Sequence, residues 1–200
     1  MAEAVQLCYD SDMYGAEAGV DEAGRGALAG PVCVSAVILS KFLDTPKEIT
    51  IKDSKKMSEK KRNLAAEWIK ANALSWSVVF VTHEDVDRLN VLNATLLGMR
   101  KAVDQLNVCP DFIVVDGPHF EPGASYPPHV CVSGGDDKYR NVAAASILAK
   151  TARDSFMREI HEHFPVYNWK CNKAYGTQEH RDAIKEHGEC RYHRKTFRKK

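Results

Sequence analysis

The chain has 200 residues, 44% of them hydrophobic, with 28 basic against 27 acidic side chains and a formal net charge of +1. That composition supports one substantial core and supplies no global field that would advertise a polyanionic partner. The six cysteines form no C-x-x-C pair, which argues against a structural zinc site or a disulfide framework. No apolar run exceeds about eight residues, far short of a membrane span. The first ten residues, MAEAVQLCYD, lack the basic flank and apolar stretch of a signal peptide, so a cytoplasmic protein without membrane attachment is expected.

In chain order, residues 16–22 read as a strand ending at an acidic pair, and GPVCVSAVIL (30–39) reads as a second strand after a Gly-Pro break. A basic stretch, IKDSKKMSEKKR (51–62), carries six basic residues against two acidic. Within it Ser58 is placed to cap a helix running to about Ala73. SWSVVFVT (75–82) is a third strand, and 84–107 is helical in one or two pieces. DFIVVD (111–116) is a short buried strand ending in an acid, and HVCVS (129–133) is a fifth strand. NVAAASILAKTARDSFMREI (141–160) is a helix whose small residues suit close packing on a sheet, and a last helix spans roughly 177–187. The tail RYHRKTFRKK (191–200) holds six basic residues and no acid. The order predicts a mixed α/β sheet covered by helices, in a single domain over 1–200 with about 161–200 as a C-terminal helical extension and basic tail.

The segment GVDEAGRGALAG (19–30) loosely satisfies a dinucleotide-binding fingerprint. That fingerprint needs its glycines between a strand and a helix. Here Gly30-Pro31 and a β-branched run follow, so the next element is a strand and the reading fails. The alternative is a metal site. Asp21 closes one strand and Asp116 another, and parallel neighbours would bring both carboxylates to one sheet edge, where open α/β sheets place their chemistry. The Gly-Gly turn that carries Asp136 and Asp137 can bring a further acid to the same edge. Like charges about 4 Å apart repel by roughly 4 kcal/mol at an effective dielectric near 20. A cluster of four acids therefore calls for protonation or for divalent cations, and oxygen-only ligands suit Mg²⁺ or Mn²⁺. Adjacent strand residues point to opposite faces, so Asp21 and Glu22 reach one metal only if the backbone kinks or Glu22 contributes its carbonyl oxygen.

Seven fragments in order, GVDEAGRGALAGPV, KDSKKMSEKKR, NVLNATLLGMRKAV, VVDG, GGDDKYRNVAAASILAKTARD, KAYGTQEH and YHRKTF, resemble ribonuclease HII, the type 2 ribonuclease H family, from about Gly19 to Phe197. The resemblance implies a ribonuclease H fold, a mixed five-stranded sheet flanked by helices. It also implies hydrolysis of the RNA strand of RNA–DNA hybrids, and cutting beside single ribonucleotides in duplex DNA, with two divalent ions (Mg²⁺ or Mn²⁺), leaving 3′-hydroxyl and 5′-phosphate ends. The family's four acids map onto Asp21, Glu22, Asp116 and Asp136. Asp136 rather than Asp137 has the family's offsets to Lys138 and Ala143. The backbone of Gly24, Arg25 and Gly26 would meet the ribose 2′-hydroxyl, the group that tells RNA from DNA. Tyr175 would pack on the sugar, and Lys55, Lys56, Arg194 and Lys195 match positions that hold phosphates. Ala27, Ala174 and Asn93 stand where the family usually has Pro, Gly and Gln.

Lys150 and Asp154, four apart, read as a surface pair, and Trp68, Trp76 and Trp169 as core or half-buried. Two rivals remain at this stage: a structure-specific DNA nuclease of the same fold, and a hybrid-binding protein without catalysis. No heptad seam is visible and the tail carries no glutamine-plus-aromatic clamp motif, so a monomer without a clamp partner is expected.

Overall fold

A computed structural model describes residues 15–197. Its strands are β1 (Glu17–Ala23), β2 (Val32–Ile38), β3 (Ser75–Val81), β4 (Phe112–Asp116) and β5 (His129–Val132). Its helices are α1 (Glu59–Asn72), α2 (His83–Leu89), α3 (Val91–Asp104), α4 (Arg140–His163), α5 (Trp169–Asn172) and α6 (Gln178–His187). The sheet order is β3-β2-β1-β4-β5. β1–β2 and β2–β3 pair antiparallel, while β1–β4 and β4–β5 pair parallel. The mixed five-stranded sheet anticipated from the sequence is the observed one.

The pleat sorts the strands into two faces. Val20, Val34, Ile38, Val81, Ile113 and Val115 share a buried cluster with Ala94, Met99 and Ala102 of α3. On the other face α4 lies close against β1. A Cβ on Gly19 would sit 2.1 Å from the Asn141 carbonyl carbon, so only glycine admits the helix at that distance. The small-residue run 142–149 of α4 is buried throughout, with Ile147 and Leu148 joining Val37, Ala65 and Ile69. Each such large side chain contributes about 1.5–3 kcal/mol by leaving water.

The anticipated boundaries hold to within a few residues. Ser58 caps α1 by accepting from the Lys61 amide. The 84–107 helix divides at Asn90, whose φ of 64° stops α2 while its side chain caps α3 through the Asn93 amide. α4 continues past 160 to His163. α5, a single turn of four residues, is too short to carry a periodic signal, and nothing in the sequence announces it. Trp169 is fully buried beside Tyr167 and Phe164, Trp68 is partly buried, and Trp76 is 37% exposed. Residues 198–200 of the anticipated basic tail, together with the N-terminal segment, fall outside the described residues. No described helix is long and apolar enough to cross a membrane.

Candidate active site

Parallel register assembles the site. Val20 of β1 pairs with Val115 of β4, so the next residues, Asp21 and Asp116, emerge side by side at the carboxyl ends of the two central strands. A 3-10 turn, Gly135–Asp137, delivers a third acid. Its first amide donates to Asp116 Oδ1 at 2.8 Å, which ties the turn to β4. Carboxylate oxygens of Asp21, Asp116 and Asp136 all lie within 4.8 Å of one another. Asp21 and Asp136 are 2% and 4% exposed.

Three ionised carboxylates at this spacing carry repulsion comparable to the net stability of a domain, roughly 5–15 kcal/mol. Burial, with Glu22 and Asp116 adding to it, holds Asp21 well above the usual carboxylate range. Burial and the Asp116 charge raise Asp136, against the pull of Lys55. Glu22 is raised by burial despite the opposing Arg25 guanidinium.

Asp21 Oδ1 accepts from the Glu22 amide at 2.6 Å, whereas Asp21 Oδ2 and Glu22 Oε2 are buried with no hydrogen-bond partner. Buried carboxylate oxygens without donors are costly, and a hard divalent cation is the partner whose chemistry suits oxygen-only ligands. The donor set therefore fits such an ion. Glu22, on the other side of the pleat, does not join the three-way cluster. Its Oε1 takes a 3.2 Å hydrogen bond from Arg25, and it borders the same recess.

The recess has a volume of about 530 Å³. Asp21, Glu22, Asp116 and the loop over residues 23–26 line it together with Lys55, Arg62, Lys150 and Tyr175. Lys55 sits on a 3-10 turn (Ser54–Lys56) capped by Asp53, and its ammonium is 3.4 Å from Asp136. Burial works against the Lys55 charge, but Asp136, Asp21 and Asp53 outweigh it and raise its pKa. Tyr175 is half-buried, with Lys150 Nζ 5.7 Å and the Arg153 guanidinium 5.3 Å from its ring centre. Behind it Trp169 Nε1 donates to His180 Nε2 at 3.0 Å. This leaves the His180 ring proton on Nδ1, 3.1 Å from the Tyr175 carbonyl it serves.

Several sequence expectations need correction. Arg194 does not face a phosphate: it is 1% exposed and its guanidinium is spent on backbone carbonyls. Lys195 is exposed but outside the recess, its amide donating to Asp87 Oδ2 at 2.8 Å. Lys56, also not among the recess residues, has its ammonium 2.6 Å from Asp137 and 3.8 Å from Asp53. Asp154 is not half of a surface pair. It is 3% exposed and bridges Lys150 at 2.8 Å and Arg62 at 3.2 Å, two recess residues that sequence reasoning missed. The i,i+4 spacing of Lys150 and Asp154 was the available signal; nothing in the sequence located Arg62. Ala174 adopts φ 64°, the left-handed region in which glycine is unstrained. Ala27 keeps an amide that donates to the Gly24 carbonyl at 3.3 Å, a bond proline could not make.

The profile of the family described as Ribonuclease HII matches residues 18–200. The ribonuclease HII of Christiangramia forsetii is 50% identical over 181 residues, covering 90% of this chain and 89% of that protein. The chain belongs to the ribonuclease HII family. Among solved structures, the ribonuclease H2 of Pyrococcus horikoshii OT3 superposes with a TM-score of 0.76 at 25% identity, covering 91% of this chain and 93% of that one. A PCNA:RNase HII complex from Archaeoglobus fulgidus supplies another match, with a TM-score of 0.76 at 26% identity, covering 92% and 96%. Ribonucleases HII cleave the RNA strand of RNA–DNA hybrids and cut at ribonucleotides embedded in duplex DNA. That divalent-metal-dependent hydrolysis is the reaction of this chain.

Proposed function

We propose that Asp21, Glu22, Asp116 and Asp136 hold two divalent cations, Mg²⁺ or Mn²⁺, and that the enzyme cuts on the 5′ side of a ribonucleotide to leave 3′-hydroxyl and 5′-phosphate ends. The observation that carries this reading is the convergence of three carboxylates, with Asp21 Oδ2 and the Oε2 of the adjacent Glu22 buried and without donors. When bound, the ions supply activation of the attacking water and stabilisation of the leaving oxygen.

The chain's own groups do the rest. Lys55 and Lys150 present ammonium groups to the phosphodiester, Lys150 held by Asp154 and Lys55 by Asp136. The exposed backbone of Arg25 and Gly26, following buried Gly24, meets the ribose edge, and the Tyr175 ring packs against the sugar. Arg25 restrains Glu22 at the rim. The chain acts as a monomeric, cytoplasmic, single catalytic unit, with hybrid or ribonucleotide-containing duplex as its partner.

Calorimetric titration of Mn²⁺ and Mg²⁺ into wild type and single Asp→Asn variants tests the assignment. Asp136→Asn is expected to weaken binding, whereas Asp137→Asn, which removes one of the two carboxylate partners of Lys56, leaves it unchanged. Equal effects at 136 and 137 would contradict the ligand set.

A further inference from the structure

Arg194 is among the largest fully buried side chains of the described structure. Among the described residues, no carboxylate lies within ion-pair distance of it. Nε donates to the Gly30 carbonyl at 3.0 Å, Nη2 to Gly30 at 2.8 Å and to Gly24 at 2.9 Å, and Nη1 to Arg25 at 2.8 Å. Burial, and the neighbouring Arg153 guanidinium, both oppose its charge, so the carbonyls are what makes the site tolerable. The backbone of the tail reinforces the arrangement, the Arg194 amide donating to Leu28 at 2.9 Å.

The consequence lies on the other side of two peptide planes. In a trans peptide the N–H points opposite to the C=O, and the described chain has no cis bonds. With the carbonyls of Gly24 and Arg25 drawn inward to Arg194, the amides of Arg25 and Gly26 point outward, on the loop that lines the recess. No described group accepts a hydrogen bond from either amide. Two successive free amides form a concavity that suits an oxygen acceptor. Gly26 adds an independent sign. Its φ lies outside the left-handed region and nothing stands within 4 Å of where a Cβ would be. Neither strain nor internal packing demands glycine there, which leaves room for the close approach of a ligand.

We propose that Arg194 is a positioning residue: without touching substrate, it holds the Gly24 and Arg25 carbonyls so that the Arg25 and Gly26 amides face the ribose, and it thereby sets the preference for a ribonucleotide over a deoxynucleotide. This rests on the reading that the loop meets the ribose. Lysine keeps the charge but has no planar fork to span the carbonyls of Gly24, Arg25 and Gly30.

The test is binding, in an Asp116→Asn background that removes cleavage. Fluorescence anisotropy compares a DNA duplex carrying one ribonucleotide with the same all-DNA duplex, with Mg²⁺ present. Adding Arg194→Lys is expected to shrink the ribonucleotide preference by about tenfold, the worth of one or two hydrogen bonds, with affinity for the all-DNA duplex unchanged. Ile160→Ala, which empties part of the apolar cluster around Trp169, serves as the destabilised control and should keep the preference. Survival of the preference in Arg194→Lys, or an equal loss in Ile160→Ala, overturns the proposal. Equal binding of both duplexes by Asp116→Asn itself would instead overturn the loop reading beneath it. If Arg194→Lys does not fold, the amide resonances of Arg25 and Gly26 in the Asp116→Asn protein decide. Shifts on adding the ribonucleotide duplex and not the all-DNA one support the geometry; unmoved resonances overturn it.

Discussion

Two buried charge clusters meet at the end of β1, and they solve opposite problems. The acidic one, Asp21, Asp116 and Asp136, packs like charges within 4.8 Å and leaves the Asp21 Oδ2 oxygen without a donor. The basic one, Arg153 and Arg194, buries two guanidinium groups and satisfies them with the carbonyls of Ala29, Pro31 and Lys173 for the first and of Gly24, Arg25 and Gly30 for the second. The basic cluster is complete within the chain, so its removal should damage the fold. The acidic cluster is complete only with a cation, so its removal should damage the reaction and relieve the fold. Gly24 stands between them: its φ of +94° and a would-be Cβ 1.9 Å from Arg153 Nε admit no other residue.

The sharpest contrast is expected at Asp116. Asp116→Asn should reduce cleavage by about a hundredfold or more, since even outer-shell changes around a metal cost roughly 10- to 100-fold. The melting temperature of the metal-free protein should hold or rise. A large loss of melting temperature would break the comparison from the acidic side. From the basic side, Arg153→Met should lower stability by about 3 kcal/mol in chemical denaturation, because buried carbonyls lose charged donors. A neutral result there would show that the guanidinium is dispensable to the fold.

Asp21→Asn should stabilise the metal-free protein by about 1–3 kcal/mol, the scale of one relieved like-charge contact. The sign with pH follows from the raised carboxyl. Between the unfolded and the folded pKa the native state holds more protons than the unfolded one, so the Asp21 contribution falls as pH rises through that window. The melting gap between Asp21→Asn and wild type in EDTA should therefore widen from acid to neutral pH. Adding Mn²⁺ should close it from the wild-type side. Comparing the two proteins cancels His180, whose pKa is lowered by burial and whose contribution runs the other way, gaining stability as pH rises. A gap that stays constant with pH would contradict the charge account. The smallest effect expected is at the strained turn before Tyr175. Ala174→Gly should be neutral to stabilising by up to about 1 kcal/mol, relief of left-handed strain being offset by added freedom in the unfolded chain.

The sequence made the acidic side legible because its logic is local. A strand ending in an acid is visible in VVDG, and two such parallel strands must present their ends together. The choice of Asp136 over Asp137 comes from the resemblance, through the ribonuclease HII family's offsets to Lys138 and Ala143. The basic side was misread for an equally physical reason. The resemblance assigns Arg194 to phosphate, and it lies in a tail with no acids, where nothing local signals burial. Its actual partners are 164 to 170 residues away in sequence, and only the tail folding back across the loop buries it. Asp154 failed in the same way, since an i,i+4 pair looks alike on a surface and in a recess until Arg62 of α1 closes over it.

The central claim is that the acidic cluster cuts 5′ of a ribonucleotide with a divalent cation. End-labelled duplex DNA carrying one ribonucleotide, beside the all-DNA duplex, with Mg²⁺, Mn²⁺ or EDTA, tests it most directly. The account predicts one cut on the 5′ side of the ribonucleotide, with 3′-hydroxyl and 5′-phosphate ends, absent in EDTA and lost in Asp116→Asn. Equal cutting of both duplexes, or cutting that survives Asp116→Asn, would contradict it.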